Sequence, residues 1–74
     1  LAARGQIDRS RALLEVALRN DPTYLTAQQN LGDVFARLAV RAYAAAASSA
    51  RVDDNLSRKL RLARELAGAA SPAR

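Results

Sequence analysis

Apolar or small residues recur at helical spacing along the first third of the chain. They fall at i, i+3, i+7, i+10 and i+11, the stripe that one face of an α-helix presents, with charged residues on the other faces. The stripe consists of Ile7, Ser10, Leu14, Ala17 and Leu18. Asn20 and Asp21 are poor residues for a helix interior, and Pro22 pushes the residue before it out of the helical region. The pattern therefore predicts a helix over about 6–20.

A second periodic segment starts after Pro22 and Thr23. Its apolar positions Leu31, Phe35 and Leu38 are followed by alanines at the same spacing, and no glycine or proline interrupts the segment after Gly32. Ser48 and Ser49 favour the end of a helix because short polar side chains compete for backbone hydrogen bonds. We expect one long helix over about 23–47, roughly 35 Å in length.

The third segment begins at Asp53 or Asp54, either of which can cap a helix. Leu56, Leu60, Ala63 and Ala67 share one face, and Gly68 with Pro72 beyond it marks the end. This predicts a helix over about 54–68, with Ala69 to Arg74 frayed. No segment alternates as a strand does, so the chain is predicted to be all-α, a single domain over 1–74 with three antiparallel helices.

Composition narrows the possible chemistry. The 74 residues include neither cysteine nor histidine, which excludes disulfides and zinc sites of the common kinds. The longest uncharged run, Ala42 to Ala50, is too short to span a membrane, and nothing indicates the compartment. The net charge of +5 suits acidic partners, but it is also what an alanine- and arginine-biased genome places on solvated helices. The second interpretation is favoured.

The chain starts at Leu1 without a leader, so we expect a piece of a longer bacterial protein, its C-terminal part. Gly5 should break the helix there, which would leave Leu1 to Arg4 as the end of a preceding helix.

Small and bulky residues also occur in a characteristic order around Pro22. They are Gly5, Ser10, Leu14, Ala17 and Pro22, followed by Leu31, Gly32 and Phe35. In this order the chain resembles the tetratricopeptide repeat, a helix-turn-helix unit of roughly 34 residues that binds proteins and peptides. The resemblance covers residues 5–38 and implies that a neighbouring helix crosses closely at Gly32.

After Leu38 the sequence departs from the family, because the expected glycine-containing turn is missing. Ala39, Tyr43 and Ala46 already have the small, bulky, small spacing of a repeat's second helix. We therefore expect a long second helix that carries these three residues beyond the rest of the domain. A C-terminal capping helix should follow it. These residues form a predicted self-association surface. Through it we expect a homo-oligomer, with a dimer favoured, and helix exchange between its copies.

The resemblance also implies a groove for a peptide or a partner helix on the first helix of the second repeat. On this sequence that groove would display Thr26, Gln29, Asp33, Ala36 and Arg37. The alternative is a solvated helix face with an ion pair between Asp33 and Arg37.

A basic cluster on the third helix suggests a different function. Arg58, Lys59, Arg61 and Arg64 could contact phosphates, but no aromatic side chain or glutamine accompanies them to stack on or read bases. A solvated face is favoured, and nucleic-acid binding is kept as the alternative. Asp53 and Asp54 are better explained by capping than by acid–base chemistry.

No nucleophile–base pair, phosphate loop or metal spacing is present, so the sequence predicts neither an enzyme nor a cofactor. It predicts a protein-interaction scaffold of the tetratricopeptide type.

Overall fold

A computed structural model of the protein describes residues 2–49 and 51–70, with side chains for 5–49 and 51–69. Three helices make up this part of the chain: α1 (Ala2–Asn20), α2 (Leu25–Ser49) and α3 (Asp54–Ala70). The predicted all-α class and the long second helix are confirmed. At 1.5 Å per residue, the 25 residues of α2 span about 37 Å.

The turn between α1 and α2 is held by Asp21. Its carboxylate accepts hydrogen bonds from the backbone N–H and the hydroxyl of Thr23, at 3.1 and 2.8 Å. Its carbonyl oxygen accepts one from the N–H of Tyr24, and the Gln28 amide donates to the carbonyl oxygen of Pro22. These bonds keep Pro22 and Thr23 in the turn, so α2 begins at Leu25 rather than at residue 23.

Two glycines do not interrupt their helices as we expected. α1 continues through Gly5 from Ala2, so the predicted break there is wrong. α3 runs past Gly68 to Ala70, and neither glycine has the positive φ of a helix cap. A lone glycine costs only about 1 kcal/mol in a helix, which neighbouring alanine, arginine and leucine residues offset. Ala69 and Ala70 are therefore helical, whereas Pro72 and the rest of the tail lie outside the described residues.

α2 also continues two residues further than predicted. The hydroxyls of Ser48 and Ser49 donate to the carbonyl oxygen of Ala45, at 3.0 and 2.8 Å. These bonds satisfy the serine side chains within the last turn, so the two serines are the final residues of α2 rather than the first residues after it.

α2 lies in the middle of the arrangement. Both other helices pack against it, but the backbones of α1 and α3 do not approach each other within the described part of the chain. α1 runs antiparallel to α2, because Asp8 contacts Arg41 near one end while Leu14 shares a groove with Asn30 near the other. α3 is antiparallel to α2 as well, because the two helices pack against each other and only four residues separate Ser49 from Asp54.

The core of this arrangement is thin. Among the residues with described side chains, the buried apolar ones are Ala27, Val34 and Ala63, none of them large. Gly32 is exposed, and a Cβ added there would meet nothing within 4 Å. Neither α1 nor α3 makes the close crossing that we expected at Gly32, because both pack on α2 elsewhere.

Candidate functional site

An apolar cleft lies between α2 and α3, with a volume of about 250 Å³. We call it the α2–α3 cleft. It is lined by Ala36, Ala39, Tyr43, Lys59, Leu62, Ala63 and Leu66. Lys59 is the only charged residue in this lining, so the cleft can hold an apolar group but offers little for a polar ligand.

The outer edge of this cleft exposes large apolar side chains. Leu62 and Leu66 are 48% and 64% exposed. Phe35 is 47% exposed and lies four residues before Ala39, which places it on the same side of α2 one turn away. We call Phe35, Ala39, Leu62 and Leu66 the apolar face. Exposed large apolar side chains on one side of a small domain make this face a candidate site for contact with another molecule.

A second groove, about 470 Å³ in volume, runs between α1 and α2. It is more polar than the first: Ser10, Asn30, Asp33 and Arg37 line it together with Leu13, Leu14 and Val34. Leu13 is 63% exposed at its edge. This groove therefore combines an apolar edge with groups that can form hydrogen bonds.

The partner-binding groove predicted from the sequence does not form one surface. Asp33 and Arg37 lie in the groove beside α1, whereas Ala36 lines the α2–α3 cleft. Thr26 and Gln29 are exposed one to two turns closer to the start of α2. These five residues are thus divided between two grooves, because α1 and α3 pack on different sides of the helix that carries them.

The predicted self-association surface is likewise divided. Ala39 and Tyr43 are half-buried in the α2–α3 cleft, while Ala46 is exposed. Our expectation that these residues extend beyond the rest of the chain is wrong for Ala39 and Tyr43, since α3 folds back over them.

The basic cluster is spread around α3. Arg61 and Arg64 line a shallow depression on the outer side with Ser57, Leu60 and Glu65. Lys59 instead belongs to the α2–α3 cleft. Because its members point in different directions, the cluster presents no single strip of positive charge along one groove, although all four side chains are exposed.

Asp53 acts as the N-cap of α3. Its carboxylate accepts a hydrogen bond from the backbone N–H of Leu56 at 2.7 Å, and its carbonyl oxygen accepts one from Ser57 at 3.0 Å. Asp54 is the first helical residue, where a negative charge interacts favourably with the helix dipole. The capping interpretation is confirmed for Asp53.

Two other kinds of site find no support among the described residues. Within the described part of the chain, no group of three or more acidic side chains lies close enough together to hold a metal ion. None of the described helices is both long enough and apolar enough to cross a bilayer.

Sequence reasoning missed the exposed leucines of α3. The predicted apolar face ran through Leu56, Leu60, Ala63 and Ala67, and Leu62 fell outside it. Leu62 lies outside the buried stripe, on a part of α3 that is otherwise charged. This position is the signal that could have indicated a second apolar side.

Comparisons with models of protein families, with curated proteins and with solved structures gave no significant match to this chain. The resemblance to the tetratricopeptide repeat therefore stays a prediction that rests on the residues around Pro22.

Proposed function

We propose that this chain is a non-catalytic protein–protein interaction module of the tetratricopeptide type, which associates with protein partners and with itself through the apolar face. The observation that carries the proposal is the exposure of Leu62 and Leu66 along the α2–α3 cleft, together with the exposure of Phe35 one turn before Ala39 on α2. A second chain covering this cleft would remove them from water.

The apolar face exposes larger side chains than the core buries. Burying a large apolar side chain completely contributes about 1.5–3 kcal/mol. Phe35 and Leu62 are about half exposed and Leu66 about two-thirds, so covering all three contributes roughly 2–5 kcal/mol. The three buried core residues are a valine and two alanines, which stabilise the monomer little. A partner on the apolar face therefore adds apolar burial that the isolated chain lacks.

Nucleic-acid binding is less well supported. A protein that binds a phosphate backbone needs several cations along one path. Arg61 and Arg64 lie on the outer side of α3, while Lys59 belongs to the α2–α3 cleft. A phosphate strand that follows one side of α3 would therefore contact only some of the four exposed cations.

Salt dependence distinguishes the two functions. Sedimentation velocity from low to high micromolar protein, at about 50 and 500 mM salt, should show association that persists at the higher salt, because apolar packing is not screened. Fluorescence anisotropy with labelled single-stranded and duplex DNA should show weak binding that disappears at the higher salt. A monomer at every concentration would overturn the proposed self-association. Tight DNA binding that falls steeply with salt would favour the alternative.

A further inference from the structure

α1 and α3 are attached to α2 independently of each other. Their backbones do not approach each other within the described part of the chain. Val34 lines the grooves with α1, whereas Ala36 lines the cleft with α3. Residues two apart on a helix are separated by about 200° around its axis, so the two helices occupy opposite sides of α2. Either helix can therefore leave α2 without breaking a backbone contact of the other.

The contact of α1 with α2 is the looser of the two. α2 and α3 approach each other at more positions than α1 and α2 do. Two grooves, about 470 and 270 Å³ in volume, lie between α1 and α2, whereas the cleft between α2 and α3 measures about 250 Å³. Ser10 lines both grooves and is exposed. Because space that no protein atom fills forfeits van der Waals contacts, the packing of α1 stabilises the fold less than that of α3.

α1 also contributes no buried side chain to the core. Among its described side chains, the apolar ones that are half-buried are Ile7, Leu14, Ala17 and Leu18, and none is buried. α3 contributes Ala63, which is 5% exposed. Elements with few buried apolar contacts open at a lower free energy than the rest of a fold. We expect α1 to be such an element.

An ion pair joins the first half of α1 to α2. Nη2 of Arg41 donates a hydrogen bond to Oδ1 of Asp8 at 3.3 Å. Nη1 of the same guanidinium is buried and has no hydrogen-bond partner among the described residues. When α1 moves away, this N–H group can bond to water, which offsets part of the cost of breaking the pair. The pair therefore acts as a weak latch.

The hydrogen bonds of the turn do not hold α1 against α2. Their donors and acceptors all lie between Ala17 and Gln28. Asp21 accepts two of them from Thr23, and the Gln28 amide donates one to the carbonyl oxygen of Pro22. The turn can thus keep these bonds when the part of α1 before Ala17 leaves α2.

From these features we infer that α1 is a cover over one side of α2, which opens as a unit before the rest of the fold unfolds, with the pair of Asp8 and Arg41 as its latch. Opening uncovers Val34, which is 5% exposed while α1 is in place. α2 and α3 stay packed together, so α1 controls access to this side of α2. The inference goes beyond the proposed function and does not depend on it, because the opening takes place within a single chain.

Hydrogen exchange of the backbone amides in dilute protein, followed residue by residue by NMR, tests the order of opening. After correction for intrinsic rates, the amides over 7–16 in α1 should exchange at least about tenfold faster than those over 58–66 in α3. Equal protection in the three helices would indicate a single cooperative unit and overturn the inference. Slower exchange in α1 than in α3 would overturn it as well.

Two variants separate the opening of α1 from the unfolding of the whole chain. Asp53→Ala removes the cap of α3 and should speed exchange in α3 about fivefold while leaving α1 unchanged, since α1 opens without α3. Asp8→Ala removes the latch and should speed exchange in α1 about two- to fivefold. Arg9→Ala is the control, at an exposed position of the same helix. The inference fails if Asp53→Ala speeds all three helices alike, or if Asp8→Ala affects α1 no more than Arg9→Ala does.

Discussion

Asp8 and Arg41 are 33 positions apart in the sequence, and Nη2 of Arg41 donates a hydrogen bond to Oδ1 of Asp8 at 3.3 Å. The pair joins the first half of α1 to the second half of α2. Nη1 of Arg41 is buried and has no hydrogen-bond partner among the described residues. Asp8 therefore supplies the hydrogen bond and the ion pair of the Arg41 guanidinium.

Replacing Asp8 with alanine should lower the free energy of unfolding by about 0.5–1 kcal/mol, since the two side chains are 36% and 47% exposed and solvent weakens the pair. Urea denaturation at low protein concentration measures the change, which should shrink at high salt. Arg9→Ala is the control, because Arg9 is exposed, and we expect less than about 0.5 kcal/mol there. Equal effects of the two substitutions would show that the pair contributes nothing specific.

The cap of α3 provides a second test. Asp53→Ala removes the acceptor for the Leu56 N–H and should cost about 1 kcal/mol. Asp54→Ala removes only a favourable charge near the helix start, worth about 0.3–1 kcal/mol, and Asp53→Asn should retain most of the stability. Thermal unfolding followed by circular dichroism distinguishes the three. A larger loss of stability for Asp54→Ala than for Asp53→Ala would mean that Asp54, and not Asp53, caps α3.

The helices could be predicted from the sequence because their signals are local. The apolar spacing around Leu14, the absence of a helix breaker after Gly32 and the capping carboxylate of Asp53 each act within a few residues. The predictions at Gly5 and Gly68 were wrong because a glycine alone is not a local signal for the end of a helix. A single glycine ends a helix only if the chain turns there with a positive φ, and that turn depends on the residues beyond the glycine.

The division of the candidate groove could not be predicted in this way. Spacing shows that Asp33, Ala36 and Arg37 lie on neighbouring parts of one helix, but it does not show which helix packs beside each of them. That is decided by tertiary contacts such as the Asp8–Arg41 pair, between residues far apart in the sequence. The exposure of Leu62 has the same cause, since α3 buries Ala63 against α2 and turns the adjacent leucine outwards.

Gly32 offers a test of the packing around α2. A Cβ at this position meets nothing within 4 Å, so Gly32→Ala should raise the free energy of unfolding by about 0.5–1 kcal/mol through helix propensity alone. Gly5→Ala is a matched control in α1, with open space at the same point. Denaturant midpoints in dilute protein measure both. A loss of stability at Gly32 alone would mean that another helix does cross there.

Ala63 tests the contact between α2 and α3. It is 5% exposed, and its small side chain allows the two helices to approach. Ala63→Leu should overpack this contact and cost about 1–3 kcal/mol. Ala69→Leu, on an exposed position of the same helix, should change stability by less than about 0.5 kcal/mol. If both variants are as stable as the wild type in urea, α3 does not pack on α2 through Ala63.

The role of the apolar face is tested most directly by the association constant of one matched pair of variants. Leu66 and Leu13 are 64% and 63% exposed, but only Leu66 belongs to the apolar face, whereas Leu13 borders the groove beside α1. Sedimentation equilibrium should show that Leu66→Lys weakens self-association at least about tenfold, the equivalent of roughly 1.4 kcal/mol, while Leu13→Lys leaves it unchanged. Equal association of the wild type and Leu66→Lys, or a loss confined to Leu13→Lys, would contradict the account.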